Sequence, residues 1–356
     1  MKLWLSTPIR VAVLLVIFLG SSATLCIAGS VPPIAQLPVL TMDGGRRLEL
    51  MAEFSSEQDF ASSRSFWKKA FDFVAGRSPL AHLDRPYGIT CDSHGRVIVT
   101  DPGSMTVHIF DLEKKRYSRI EHGKGMSFLA PVDVAVDAGD NIYITDAQTG
   151  RIFVFDADCK FRRFIGGLSK SEGFFKRPTG IAIDKVAGEI YVTDTLRDKI
   201  FVLDLNGKIL REFGERGTGQ GQFNFPTEIV LHGSELYVVD AMNFRVQIFA
   251  KDGRFISEFG HQGGELGSLF RPKGLSIDSE GNIYLADAAL EIVQVFAKDG
   301  ALLYSFGGTG TAPGQMQLPA GVWIDPKDRV FVVDSFNQRI QMYQFTSAAR
   351  AARGQK

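Results

Sequence analysis

Aspartate closes a short apolar run at six places in this 356-residue chain, Asp101, Asp146, Asp194, Asp240, Asp287 and Asp334, with gaps of 45, 48, 46, 47 and 47 residues. Six equivalent carboxylates could form a catalytic ring, but the residue five positions on argues otherwise. Arg151 follows Asp146, Lys199 follows Asp194, Arg245 follows Asp240 and Arg339 follows Asp334. Five residues across a tight turn set a carboxylate beside a cation on the next strand, so these four pairs read as structural ion pairs. The first and fifth copies depart from this, with Thr106 and Ile292 at the cation's place. A binding site needs residues that differ between copies, so departures from the repeat carry the information. Two residues after a recurring proline stand Gly88, Asp133, Gly180, Glu228, Gly274 and Gly321. Asp133 and Glu228 are carboxylates where the other copies have glycine; such a pair can bridge a divalent cation, an amine or a water, or cap local backbone amides. Two residues after the recurring aspartates stand Gly103, Gln148, Leu196, Met242, Ala289 and Phe336. Leu196, Met242 and Phe336, with Phe244 and Leu290, would form an apolar arc on one set of loops, a surface suited to a ligand or partner.

No catalytic residue emerges beside them. The six histidines share no metal-binding spacing, and the chain contains no CxxCH and no GxSxG elbow. The glycine-rich stretches GERGTGQGQF and GGTGTAPGQM recur in one place of the repeat with no strand-loop-helix unit around them, so they read as links rather than phosphate cradles.

The elements that position these residues follow from the repeat. A proline opens a short apolar segment at Pro86, Pro131, Pro178, Pro226, Pro272 and Pro319, in step with the aspartates. Each unit holds four strand-like pieces, such as PTGIAID, EIYVTD, KIFVLD and KILREFG, rich in β-branched and aromatic residues and punctuated by Gly, Asn and Asp. The first two pieces are almost wholly apolar, so the sheet they build must be covered on both faces, which radial stacking achieves. The prediction is an all-β, six-bladed β-propeller over residues 86–345. The last unit lacks a fourth strand; RRLELMAEF, within 46–54, alternates polar and apolar residues and is predicted to pair onto the last blade and close the ring. Residues 62–76 carry aromatics at helical spacing and predict one short amphipathic helix before blade 1, packed on the propeller, covering a mouth or docking a partner or membrane surface. Residues 29–45 read as an extended linker and 346–356 as a disordered tail.

The units resemble NHL repeats: a proline, a Gly-Ile-Ala-Val-Asp-like strand, Tyr-Val-x-Asp, then Asn-x-Arg-Val-Gln-x-Phe and Phe-Gly, best seen in VVDAMNFRVQIF and VVDSFNQRIQMY. The resemblance implies a loop-rich face that holds proteins, peptides or small ligands. Exported bacterial members similar in N-terminal layout imply a cell-envelope role. Six-bladed relatives also include metal-dependent lyases and lactonases that work at the channel mouth.

Composition sets the remaining bounds. Forty basic residues face forty acidic ones, so no net field favours nucleic acid, which is excluded as a partner. Lys2 and Arg10 precede an apolar run, Val11 to Leu19, and small residues follow, so residues 1–28 read as a signal peptide, cut after Ala23 or Ala28. Export to periplasm, cell surface or medium follows. Cys26 is a weak candidate for lipidation, because Ala23 and Leu25 depart from the bacterial lipobox. Cys91 and Cys159 take a strand-core and a turn position of the repeat and are not expected to bridge. The leading expectation is a non-catalytic, monomeric extracytoplasmic binding scaffold for an envelope protein, peptide or small ligand, with no cofactor beyond a divalent cation at Asp133 and Glu228. The rival is a metal-dependent lyase or lactonase at the channel mouth.

Overall fold

A sheet whose second strand is apolar on both sides has to be sandwiched, and the computed structural model shows six such sheets arranged around an axis. It describes residues 38–42, 45–60, 81–123, 125–167 and 173–347. Each sheet is antiparallel, and in blades 1 to 5 the strands run in chain order from the axis outward. Blade 1 holds Ile89–Cys91, Arg96–Asp101, Thr106–Asp111 and Arg116–Ile120; blade 3 holds Pro178–Asp184, Glu189–Asp194, Lys199–Asp204 and Ile209–Phe213. Inner strands Pro131–Val136, Pro226–His232, Pro272–Ile277 and Pro319–Ile324 open blades 2, 4, 5 and 6. Each inner strand packs against the next, and blade 6 returns to blade 1, where Gly321 N donates to Tyr87 O at 2.8 Å.

The second strands supply the packing between blades. Ile98, Tyr143, Tyr191, Tyr237, Tyr284 and Phe331 occupy one register and are all buried. Burying such rings removes roughly 150–250 Å² each from water, and the tyrosine hydroxyls keep partners: Tyr143 donates to Asp137 Oδ2 at 3.1 Å and Tyr237 to Glu235 Oε2 at 3.0 Å. Threonine stitches the first three blades to their successors, as Thr100 Oγ1 donates to Val132 O at 2.7 Å and Thr145 Oγ1 to Thr179 O at 2.6 Å.

The ring closes as expected. Arg47–Phe54 pairs antiparallel with Arg339–Thr346 and completes blade 6. A bulge between Leu50 and Ala52 switches the faces along this strand: Leu48 and Leu50 enter the core shared with blade 5, whereas Phe54 enters the core shared with blade 1. The extended linker expected over 29–45 is corrected in part. Val39–Thr41 forms a fifth strand on blade 6, pairing Val39 with Glu49 and Thr41 with Arg47, so that the outer edge of the closing strand is also covered. The expected signal peptide with Cys26 and the helix at 62–76 lie outside the described residues, as does the tail beyond Ser347. Cys91 and Cys159 are both free thiols.

Candidate functional site

The residues ahead of each inner strand and those in the turn between second and third strands lie at one end of the ring, its mouth. The recurring aspartates shape this face, mainly by binding backbone. Asp287 accepts four amides, from Phe270 at 2.7 Å, Arg271 at 3.0 Å, Ala289 at 3.1 Å and Leu290 at 3.2 Å. Asp146 does the same for Leu129, Ala130, Gln148 and Thr149. One carboxylate therefore fixes both the loop entering its blade and the loop leaving its second strand.

Two of the four expected ion pairs form. Arg245 Nε donates to Asp240 Oδ2 at 2.9 Å and Arg339 Nε to Asp334 Oδ2 at 2.8 Å. Both guanidiniums go on to the glycine-rich links, Arg245 to Thr218 O, Gly219 O and Gln222 O, and Arg339 to Thr311 O, Ala312 O and Gln315 O. Gln247 and Gln341 pin the same links, which explains why those loops follow the repeat. The other two pairs are corrected. Asp194 and Lys199 are cross-strand neighbours, yet Asp194 takes Arg197 at 3.3 Å while the longer reach of Lys199 meets Glu212 at 2.5 Å. Asp146 and Arg151 are neighbours too, but Asp146 is occupied by amides and Arg151 Nη1 donates to Met126 Sδ at 3.0 Å. In blade 1 Thr106 leaves the cation's register empty, and His108, at the register of Gln247 and Gln341, places Nε2 3.4 Å from Asp101.

Asp133 and Glu228 both line the channel. Blade 3 lies between theirs and has Gly180 at that register, where a Cβ would collide with the backbone of Thr227, Glu228 and Ile229. The two carboxyls perturb each other's titration; Asp133 Oδ2 accepts Ile181 N at 2.9 Å and Glu228 Oε1 accepts Ile229 N at 3.1 Å. Burial pushes the pKa of both upward, and the neighbouring Asp133 charge raises Glu228 further, so the pair retains a proton at pH values where lone carboxyls are ionised. They adjoin a cavity of about 90 Å³ within the channel, lined by inner-strand residues of all six blades. Among the described residues no three His, Cys, Asp or Glu side chains converge as metal ligands.

Above the pair the mouth opens into a cavity of about 480 Å³, lined by blades 1 to 5. Of the apolar arc, only Met242 lines it, 54% exposed; Leu196 and Phe336 are exposed elsewhere on the rim, and Phe244 and Leu290 are half-buried, Phe244 against the blade 4 and 5 core. Phe225 and Phe270 complete the apolar wall. The cavity also holds Arg177, Arg271 and Lys273, a cluster absent from the sequence reading. The signal for it is an Arg-Pro step in every second repeat, at Arg85, Arg177 and Arg271, one residue before the proline rather than two after it.

Comparison with known proteins agrees with this fold. A family model for a six-bladed β-propeller, DUF5128, matches residues 129–215. No curated protein matches the chain. Similar solved structures include a gluconolactonase from Xanthomonas campestris, at 15% identity, TM-score 0.58, covering 87% of this chain and 98% of that one. An auxiliary nutrient binding protein from Bacteroides thetaiotaomicron is similar at 14% identity and TM-score 0.58, covering 74% of this chain and 70% of its own. A streptogramin B lyase aligns at 16% identity, TM-score 0.54, over 74% of this chain and 94% of that one.

Proposed function

We propose that this protein is a monomeric, non-catalytic binding scaffold of NHL type, exported to the cell envelope, whose propeller mouth holds its ligand. The cavity of about 480 Å³ around Met242 carries this reading, because its size falls in the range of small-molecule sites and its walls mix apolar surface with a few polar groups. Export rests on the basic and apolar N-terminal run, and the envelope setting on the resemblance of the repeats. The test places a photoreactive amino acid at Met242 in intact cells. Defined adducts from that position are expected, and none from Val186, 98% exposed on the opposite face. Equal labelling from both positions would sink the reading.

One observation favours the enzymatic alternative, a metal-dependent lyase or lactonase: two buried carboxyls with raised pKa line the channel beneath an open mouth. Protein purified without chelator and carrying stoichiometric calcium or zinc, lost on Asp133→Ala, would establish that alternative in place of the scaffold.

A further inference from the structure

We infer that the mouth binds an organic oxyanion, a carboxylate or phosphate attached to an apolar body, through Arg177, Arg271 and Lys273; this rests on the mouth being the ligand site. In a chain with as many acids as bases, a cavity drawn from five blades is expected to mix both signs. This one has three cations and, among its described lining residues, no carboxylate. The recurring aspartates nearby accept backbone amides and, among the described residues, form no ion pair with these three side chains.

The two arginines are also unspent. Among the described residues, neither the Arg177 nor the Arg271 guanidinium has a hydrogen-bond or ion-pair partner. That contrasts with Arg245 and Arg339, whose donors are taken up by loop carbonyls and carboxylates. Their backbone is fixed nonetheless, because the following proline locks each inner strand and the arginine amide itself is held by Asp194 or Asp287. Lys273 is held by the Tyr87 hydroxyl at 3.2 Å, with its ammonium 5.3 Å from the centre of that ring, so blade 5 reaches toward blade 1 across blade 6. Blade 4 contributes Phe225 and Met242 between the arginines of blades 3 and 5. Charge on both sides of an apolar wall suits an amphiphilic anion and penalises an amine. Paired, planar guanidiniums favour carboxylate or phosphate oxygens over a simple halide.

Calorimetric titration of the purified full-length chain tests this with four probes: phenylacetate, phenyl phosphate, the neutral phenylacetamide and the cationic benzylamine. One equivalent of either anion is expected to bind, at least about tenfold more tightly than the amide or the amine, with the preference lost in the Arg177→Gln, Arg271→Gln double variant. Phenylacetate alone binding would assign a carboxylate, phenyl phosphate alone a phosphate. Circular dichroism and the unfolding midpoint check that the variant is folded, which exposed arginines without partners should leave unchanged. Amide binding as tight as acid, reduced by Met242→Ser, would overturn the anion and leave the mouth as a ligand site. Anion binding that survives the double variant overturns the assigned residues, and saturation by no probe below about 10 mM overturns both readings.

Discussion

The closing strand is the most exacting place to perturb this fold, because its bulge sends neighbouring side chains into different cores. Phe54 is buried, with its ring 5.5 Å from Phe60 and 5.0 Å from Phe110 in edge-on geometry, in the core between blades 6 and 1. Phe54→Ala removes the ring and leaves a cavity, a change costing about 3–5 kcal/mol in well-packed cores. Leu50→Ala acts on the opposite side, in the core between blades 5 and 6, at about 2–5 kcal/mol. Met51, at the bulge and 49% exposed, should tolerate alanine within about 0.5 kcal/mol. Guanidinium unfolding followed by circular dichroism measures all three, and the double variant Leu50→Ala, Phe54→Ala should be additive to within about 0.5 kcal/mol, since the two sites share no core. An unfolding midpoint untouched by Phe54→Ala would refute the claim that this strand holds the ring closed. A coupling well above 1 kcal/mol would refute the division of its faces.

Four further outcomes follow from the same contacts. Burial raises the pKa of Asp133 to about 7 and that of Glu228 as well; at these two groups the folded state then holds more protons than the unfolded one from about pH 4 upward, so the pair's contribution to stability is fully present below that pH and is lost as pH rises through about 7. Urea midpoints measured from pH 5 to 8 should therefore fall, and fall less in Glu228→Gln; a flat wild-type profile would count against the raised pKa of the pair. Asp287→Ala orphans four amides and should cost at least about 3 kcal/mol by chemical denaturation, against less for Asp287→Asn, which keeps acceptors. Gly321→Ala places a Cβ 2.4 Å from Tyr87 O and should lower stability by about 1–3 kcal/mol or more, whereas Gly264→Ala, with open space around it, should be nearly neutral. Intact mass of the secreted or periplasmic protein should show an N-terminus after Ala23 or Ala28, and retention of Met1 would end the export reading.

The ring was legible because each blade carries two side-chain markers whose physics is local: a proline that starts an inner strand and an aspartate that ends the next. RRLELMAEF was legible for a similar reason, its alternation matching the fourth strands. Val39–Thr41 was not, since three residues are too short for a period, and the strand exists only because the closing strand offers it an edge. The ion pairs show where register stops short of contact. Asp194 and Lys199 face each other across the turn as the spacing says, but Arg197 also comes within reach of that carboxylate, and Glu212 on the fourth strand competes for the lysine. The chief role of these aspartates, accepting amides from the loop before the inner strand, leaves no side-chain pattern at all.

The site follows the same division. Asp133 and Glu228 stood out against glycine and both line the channel, while the arginines were hidden by their alternation. A residue found in blades 1, 3 and 5 looks like noise to a search for sixfold identity, yet around a ring it places a like charge at every second blade. The two registers are complementary: Arg85, Arg177 and Arg271 sit above Gly88, Gly180 and Gly274, whereas Asp133 and Glu228 sit beneath Ala130 and Phe225. No blade carries both an arginine before the proline and a carboxylate two residues after it, so the two registers do not pair within one strand. The result is a cationic rim over a floor of two carboxyls whose pKa burial raises, a local excess of positive charge that the neutrality of the whole chain hides.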